Sequence, residues 1–323
     1  MSNNSTITTI QYASAGCTIV SSLLSIFGAF VIFWTYWRIN YVRNFPRTLL
    51  LWLTVADLLN ASGNLVGTTD YISKNGRHDD ICTAQSIVTT YASISSFLWT
   101  LVITAHMMAS IQFRSNRTRS TVLNILYHVI CWGIPGLVTL LACMQDALGS
   151  DSDTNTVTGT WCWIKSSNNT HTKTIEWMLV AGKGWEILCY ILSLSILVLL
   201  KLKLYLSGRR LRDLNAGFRD EDTHFLYLWL LLWLLRVWGT IRFILFWSQK
   251  EDNLTFLIIP QSIGDSAQAF GNCILFCFLD KEVMQHIKNK CTSSRFEDVE
   301  NERLIPTSEG SANNEKRVFY NTE

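Results

Sequence analysis

Proline is scarce in this sequence, with four residues in 323. Charge is scarce in a more telling way. Asp, Glu, Lys and Arg make up 16% of the chain, yet long stretches carry almost none, and the charges crowd between them. A soluble domain spreads charge over its whole surface. The hydrophobic fraction of 49% would be ordinary for such a domain, so the distribution decides against one. No long basic run is present, which argues against a nucleic-acid partner. The nine cysteines are too dispersed for a CxxC pair or a zinc site, so neither a metal nor another cofactor is expected. The motifs GxSxG, HExxH and the P-loop are all missing, and an enzyme is not expected. His106 and His128 stand alone on apolar stretches and read as histidines bonded within a bundle. A cleavable leader is not expected either. The first apolar run is long enough to span a bilayer and lacks a basic n-region, so it reads as an uncleaved anchor.

What is present is a series of long apolar runs. A spanning helix needs about 20 mostly apolar residues. Seven runs qualify, at about 12–36, 48–71, 81–113, 121–144, 175–204, 224–247 and 254–279. The expected fold is an all-α membrane protein, a seven-transmembrane helix bundle. The 13 tryptophans suit it, because amphipathic rings favour the headgroup zone. Spans two, three and seven carry the most Ser, Thr, Asn and Gln. Such residues suit interior helices that bond to one another. The expected organisation is an N-terminal segment 1–11, a transmembrane domain 12–279, a juxtamembrane helix 280–291 and a disordered tail 292–323.

Orientation follows from the Lys and Arg of the short loops. One side carries Arg38, Arg43 and Arg47, then Arg114, Arg117 and Arg119, then Lys201, Lys203, Arg209, Arg210, Arg212 and Arg219. The other has only Lys74, Arg77, Lys165, Lys173 and Lys250. The basic side belongs in the cytosol. The N-terminus is then outside, and an odd number of spans puts the tail inside. Asn3, Asn4 and Asn168 head N-x-S/T sequons on the outer side and are candidate glycosylation sites. Asn116 falls in a cytosolic loop, Asn60 inside span two and Asn253 close to the membrane. The segment 280–291 reads as a short amphipathic eighth helix, with Val283, Met284 and Ile287 together and Lys281, Lys288 and Lys290 able to reach anionic membrane lipids. Cys291 is a candidate for palmitoylation, and equally a free cytosolic thiol. In the tail, 300–305 fits an acidic dileucine pattern read by endocytic adaptors.

Two cysteines differ from the rest. Cys82 lies at the outer end of span three and Cys162 in the long outer loop before span five. Both face an oxidising compartment, and a disulfide between them is expected to pin that loop over the mouth of the bundle. Charges inside the membrane are the other signal, since burying them is costly unless they are paired or hydrated. Asp57, Asn60 and Asn64 share one face of span two, and Asp265, Gln268 and Asn272 share one face of span seven. The two stripes are expected to face each other through an internal water network, with Asp57 a structural or switch element. Span five carries Lys183 and Glu186, and span six carries Arg236, Trp238 and Arg242. Lys183 lies about 12 Å below the outer end of its span. With Tyr91 and Trp99 of span three, and with Glu186, Trp238, Arg242, Asp265 and Gln268, it is a candidate for an outward-facing ligand pocket. Both signs of charge there suit a zwitterionic or anionic ligand with an apolar part. The competing reading makes Lys183–Glu186, and Asp265 with Arg236 or Arg242, structural ion pairs. Arg38, Arg43, Arg47, Arg114, Arg117, Arg119, Arg209 and Arg210 are candidates for an intracellular partner's cleft; the positive-inside bias alone also explains them.

Several segments carry a likeness: Trp161-Cys162-Trp163-Ile164, Ser95-Ser96-Phe97-Leu98-Trp99-Thr100, Gly182-Lys183-Gly184-Trp185-Glu186 and Arg236-Val237-Trp238-Gly239-Thr240-Ile241-Arg242-Phe243. Cys131-Trp132-Gly133-Ile134-Pro135 is similar to the GWGxP element of secretin- and adhesion-type receptors, with Cys131 in place of the first glycine. Together they resemble the cyclic-AMP-receptor-like group of seven-helix receptors over about 49–277. The resemblance implies a G-protein-coupled receptor at the plasma membrane, the ciliary membrane included. It further implies an extracellular ligand, heterotrimeric G proteins, and second-messenger signalling through phosphatidylinositol–calcium or cyclic AMP. Arrestin is a further expected partner. Span three ends in Gln112-Phe113-Arg114, not the Asp-Arg-Tyr of rhodopsin-type receptors, and span seven lacks their Asn-Pro-x-x-Tyr. The alternative is a seven-helix small-solute transporter, which would place Pro-broken helices at matching positions of two repeats. Pro135 and Pro260 do not match in that way. A retinal protein would need a Schiff-base lysine in span seven, which has none.

Overall fold

The structure, a computed structural model, describes residues 2–73, 79–113, 121–149, 161–165, 171–206, 224, 227–248 and 257–289, with backbone only at 2–8, 41, 110–113 and 204. Helix α1 runs Ser2–Arg38 and, after a 3-10 turn at Asn40–Val42, α2 runs Phe45–Ser73. α3 is Asp79–Phe113. α4 (Thr121–His128) passes through a π segment, Val129–Gly133, into α5 (Ile134–Met144). A two-residue strand β1 (Leu148–Gly149) pairs antiparallel with β2 (Trp163–Ile164). α6 (His171–Met178) passes through a second π segment, Leu179–Lys183, into α7 (Gly184–Leu206). α8 is Leu228–Trp247. α9 (Ile258–Ser266) and α10 (Gln268–Cys273) meet at Ala267, and a third π segment, Ile274–Phe278, follows. Residues 281–289 form α11.

Among the described residues, six stretches are long and apolar enough to cross a membrane: Thr9–Arg38, Phe45–Ser73, Asp79–Ala109, Thr121–Met144, His171–Lys203 and Leu228–Trp247. The expected seventh is divided. Its helix opens at Ala267, where φ is −90° and ψ is 5°, and only Gln268–Phe278 reads as a shorter apolar helix. The polar residues that mark this segment also shorten its apolar run. At the other end of the chain, α1 begins at Ser2, so the expected N-terminal segment is helical from residue 2 and continuous with the first apolar run.

The bundle buries many polar side chains among its apolar ones and is apolar outside. Ser95, Ser96, Thr100 and Thr104 of α3 are fully buried, while Val122, Leu137 and Met144 of α4 and α5 are exposed. A buried hydroxyl needs a partner. Ser95 donates to the carbonyl of Tyr91 at 2.8 Å and Thr104 to that of Thr100 at 2.9 Å, so two of these four side chains are satisfied within their own helix. Small residues let helices close up. A Cβ at Gly28 of α1 would stand 3.0 Å from the Cα of Phe270 in α10 and 3.1 Å from the carbonyl oxygen of Ala269, so only glycine fits without a shift.

The π segments have readable local causes. Gly184 N–H reaches back to the carbonyl of Leu179, five residues away. The indole of Trp185 then donates to the carbonyl of Val180 at 2.8 Å, which keeps that acceptor satisfied. This wider turn sets the register of Lys183 and Glu186. In the α4–α5 span the π segment ends two residues before Pro135, a residue with no N–H to donate.

At the end of the bundle opposite the disulfide, Arg43 donates to the last carbonyls of α1, those of Tyr36 (3.0 Å) and Trp37. Arg47 pairs with Asp280 at 2.9 Å, donates to the carbonyl of Phe276 at 2.8 Å and stacks 5.1 Å from the Phe276 ring centroid.

Candidate functional site

Cys82 and Cys162 form a disulfide that ties β2's approach to the first turn of α3. One turn further along α3, Gln85 holds the same place by its side-chain amide. Its Oε1 accepts from Cys162 N–H at 2.8 Å and its Nε2 donates to the Cys162 carbonyl at 3.3 Å. A strand-like pair of bonds therefore comes from one side chain, and it satisfies backbone groups that the loop would otherwise bury unpaired. The β1–β2 ladder and an Asp146–Lys165 ion pair at 2.6 Å complete the loop's anchorage. Trp161 and Trp163 are carried on either side of Cys162.

Beneath this loop lies a cavity of about 60 Å³, lined by residues of α2, α3, α7, α8 and α9 together with Trp161 and Trp163. At about 10–15 Å³ per water it has room for a few waters. Four of its lining residues are charged, and all are buried: Lys183, Glu186, Arg236 and Asp265. Lys183 donates to Glu186 Oε2 at 2.8 Å, while Glu186 Oε1 accepts from Tyr190 at 2.9 Å and from Thr240. Asp265 accepts from Arg236 Nη1 at 3.4 Å and from Gln261 Nε2 at 3.1 Å. Gln261 in turn accepts from Arg242, so α8 and α9 are joined by a chain of charged and amide groups. Gly239 makes room for it, since a Cβ there would stand 2.8 Å from Lys183 Nζ and 3.2 Å from Gln261 Nε2.

A second polar cluster holds Asp57, which is 2% exposed. Asp57 Oδ1 accepts from Ser96 at 2.5 Å and Oδ2 from Asn272 at 2.8 Å. Asn60, three residues after Asp57 on α2, donates to the Asp265 carbonyl at 2.8 Å and accepts from Ser93 at 3.0 Å. Asn64 donates to Ser266 at 3.1 Å. The stripes on α2 and on α9–α10 meet through direct hydrogen bonds, Asn60 to the Asp265 carbonyl, Asn64 to Ser266 and Asn272 to Asp57.

The structure divides the sequence-derived pocket candidates. Lys183, Glu186 and Asp265 line the cavity, and Arg242 stands behind them through Gln261. Tyr91 and Trp99 do not line it. Tyr91 stacks on Trp132 at 5.9 Å, and Trp99 packs edge-on against His128 (5.2 Å) and Trp132 (6.0 Å), because α3 turns that face toward α4. Trp238 is 38% exposed on the outer face of α8, since the four-residue step to Arg242 puts the two on a broad helix surface but not in one contact. Gln268 lies past the break at Ala267, buried and outside the cavity lining. His128 stands between Trp52 and Trp99, and His106 between Phe45 and Tyr127.

Among the basic candidates, Arg38 is exposed, Arg43 caps α1, and Arg47 is 3% exposed and occupied by Asp280. A buried, paired Arg47 belongs to the frame of the bundle and not to a free surface. Arg114, Arg117, Arg119, Arg209, Arg210, Asn168, Cys291 and the 300–305 pattern lie outside the described residues. Asn3 and Asn4 fall in the backbone-only start of α1. Sequence reasoning missed Gln85, Thr89, Thr90, Phe97 and Gln261. Gln261 had a signal, because it stands one helical turn before Asp265 on the stripe that drew attention to span seven.

The family model described as slime mold cyclic AMP receptor matches residues 5–205, and the chain belongs to that family. It is a multi-pass membrane protein of the receptor class. The chain is similar to G-protein coupled receptor 157 of Mus musculus, 30% identical over 286 residues that cover 84% of both chains. It is similar to G-protein coupled receptor 157 of Homo sapiens, 28% identical over 284 residues, which cover 84% of this chain and 82% of that one. The cyclic AMP receptor-like protein A of Dictyostelium discoideum is 26% identical over 147 residues, covering 45% of this chain and 35% of that protein.

Proposed function

We propose that this chain is a seven-span G-protein-coupled receptor that takes an extracellular ligand in the cavity beneath the Cys82–Cys162 loop and acts on heterotrimeric G proteins. The observation that carries the reading is the cavity itself: a buried charged site beneath a covalently anchored loop, in a chain of this receptor family. The segment Ile258–Phe278, taken with its break, supplies the seventh span. The Lys and Arg bias of the loops supports an N-terminus outside and a tail in the cytosol, with the plasma membrane, the ciliary membrane included, as the site of action. Residues 281–289 then lie along the inner surface, where Lys281 and Lys288 meet anionic headgroups.

Mechanism follows from the coupling of helices around the cavity. Lys183 and Glu186 stand on the π segment and α7, Arg236 and Thr240 on α8, and Asp265 on α9. A ligand that competes for any of these groups changes how α8 is held against its neighbours. Ligand binding thus favours the arrangement in which the cytosolic end of α8 swings outward and admits a G-protein α subunit. The downstream messenger is calcium through phosphatidylinositol, or cyclic AMP, and arrestin and endocytic adaptors act on the tail.

The test is expression in cells carrying sensors for several G-protein families, with the cavity variants Lys183→Ala and Arg236→Gln in parallel. Basal or ligand-driven activation of at least one family, altered in the variants at matched surface level, is expected. Radiolabelled solute uptake with silent sensors would turn the reading toward a transporter.

A further inference from the structure

The donors and acceptors around the cavity do not balance, and the mismatch points to a ligand class. Every carboxylate oxygen lining it is engaged: Glu186 Oε1 by Tyr190 and Thr240, Glu186 Oε2 by Lys183, Asp265 Oδ1 by Arg236 and Asp265 Oδ2 by Gln261. The amide oxygen of Asn60 is engaged by Ser93. On the donor side, Arg236 is 5% exposed, and its Nε–H and Nη2 have no acceptor. The hydroxyl of Thr90, 2% exposed, has no partner either. Both residues line the cavity. A buried donor with no acceptor costs about 1–3 kcal/mol, and more when it is charged. The hydrogens on Nε and Nη2 point side by side, and this edge of a guanidinium is the one that matches the two oxygens of a carboxylate.

We propose that the cavity binds the carboxylate of a small monoanionic ligand on the Nε/Nη2 edge of Arg236, assisted by the Thr90 hydroxyl, with the ligand's apolar part against Phe97, Trp161 and Trp163. The inference deepens the receptor reading of the cavity and rests on it. The Phe97 ring already stacks 5.2 Å from the Arg236 guanidinium, which holds that group in plane for a bidentate pair. The charge of the ligand follows from its neighbours. Lys183 and Arg236 are balanced by Glu186 and Asp265, with Arg242 and Asp57 standing behind as a third cation and a third anion. A dianion such as a phosphate monoester would meet two carboxylates at close quarters, whereas a single negative charge on the free guanidinium edge would not outweigh its donors. Room for only a few waters also favours a compact headgroup.

The test uses the purified protein in lipid nanodiscs and reads ligand-dependent thermal stabilisation, which grows with the logarithm of the ratio of ligand concentration to Kd. The probes are butyrate, hexanoate and 3-phenylpropionate, each against its primary amide, together with hexyl phosphate. At least one carboxylate is expected to raise the melting temperature in proportion to the logarithm of its concentration above Kd, and to do so at a concentration about tenfold or more below that of its amide, which corresponds to about 1.4 kcal/mol. Arg236→Lys keeps a charge toward Asp265 but loses the fork, and is expected to weaken carboxylate binding about tenfold or more. Thr90→Val is expected to weaken it by less. The proposal is overturned if none of the three carboxylates stabilises the protein, if an amide or hexyl phosphate matches or exceeds its carboxylate, or if Arg236→Lys binds like the parent. Where Arg236→Lys fails to fold, Thr90→Val and the carboxylate–amide difference on the parent protein decide. Carboxylate binding without G-protein activation would sink the receptor reading alone, and activation with no carboxylate preference would sink this inference alone.

Discussion

Around Asp57 each carboxylate oxygen meets a donor from a neighbouring helix, Ser96 on one side and Asn272 on the other. Around Arg236 two donors have nothing to donate to. Both regions are buried, both sit between α3 and the last described helices, and both rely on the same residue types. In the first both carboxylate oxygens are engaged, with only Asn272 Oδ1 left without a donor, and the cluster has the character of a structural joint. The second is closed only on its acceptor side, and it is the one roofed by the disulfide-anchored loop. The comparison teaches that buried polarity alone does not mark a binding site in a membrane bundle. What marks it here is a pair of charged donors left incomplete in the wall of a cavity.

The comparison can be broken or sharpened by substitution, with the protein in nanodiscs and unfolding followed by thermal melting. The largest effect is expected for Lys183→Ala, which leaves Glu186 buried without its cation and should cost about 3–5 kcal/mol, as for other broken buried pairs. The double variant Lys183→Ala, Glu186→Gln should recover a good part of that loss. If Lys183→Ala melts like the parent, the pair is not structural and Lys183 passes to the ligand. Next, Asp57→Asn keeps the shape and one acceptor but turns an amide N–H toward one of its two donors. A loss of about 1–3 kcal/mol is expected; an unchanged melt would deny the Asp57 cluster its role as a joint. Gln85→Ala removes the clamp on Cys162 but leaves the disulfide, for a loss of about 1–2 kcal/mol. Its ligand affinity should fall along with its stability, and normal affinity would detach the loop from the cavity. The smallest effect, within about 0.5 kcal/mol, is expected for Trp238→Leu on the outer face of α8. A large signalling loss at an unchanged melting temperature would return Trp238 to the pocket.

Much of this was legible in advance. The alternation of apolar runs and basic loops announces helices in lipid, because a chain without water must satisfy its backbone within each segment. The i, i+3 and i+7 spacing of Asp57, Asn60 and Asn64 places them on one face, and the structure turns that face toward Asp265, Ser266 and Asn272. The candidates that moved were the aromatic ones. Tyr91 and Trp99 have no charge to reveal which neighbour they seek, and their partners Trp132 and His128 lie some thirty to forty residues away on a helix interrupted by a π segment. Arg47 shows the same limit from the other side. As an arginine in a basic loop it reads as part of a surface, yet Asp280, over two hundred residues later, buries it.

By itself, then, the sequence determined where the helices run, which of their faces are polar and which two cysteines stand apart from the rest. These follow from local spacing and from the cost of exposing charge to lipid, and both act on short stretches of chain. Only the tertiary structure decided which polar groups find partners. A hydrogen bond is complete or incomplete according to distances of a few tenths of an ångström between helices far apart in the chain, set by glycines such as Gly28 and Gly239 and by the register shift at Leu179–Lys183. That is why Asp57 is saturated, Arg236 is not, and no reading of spacing could have told them apart.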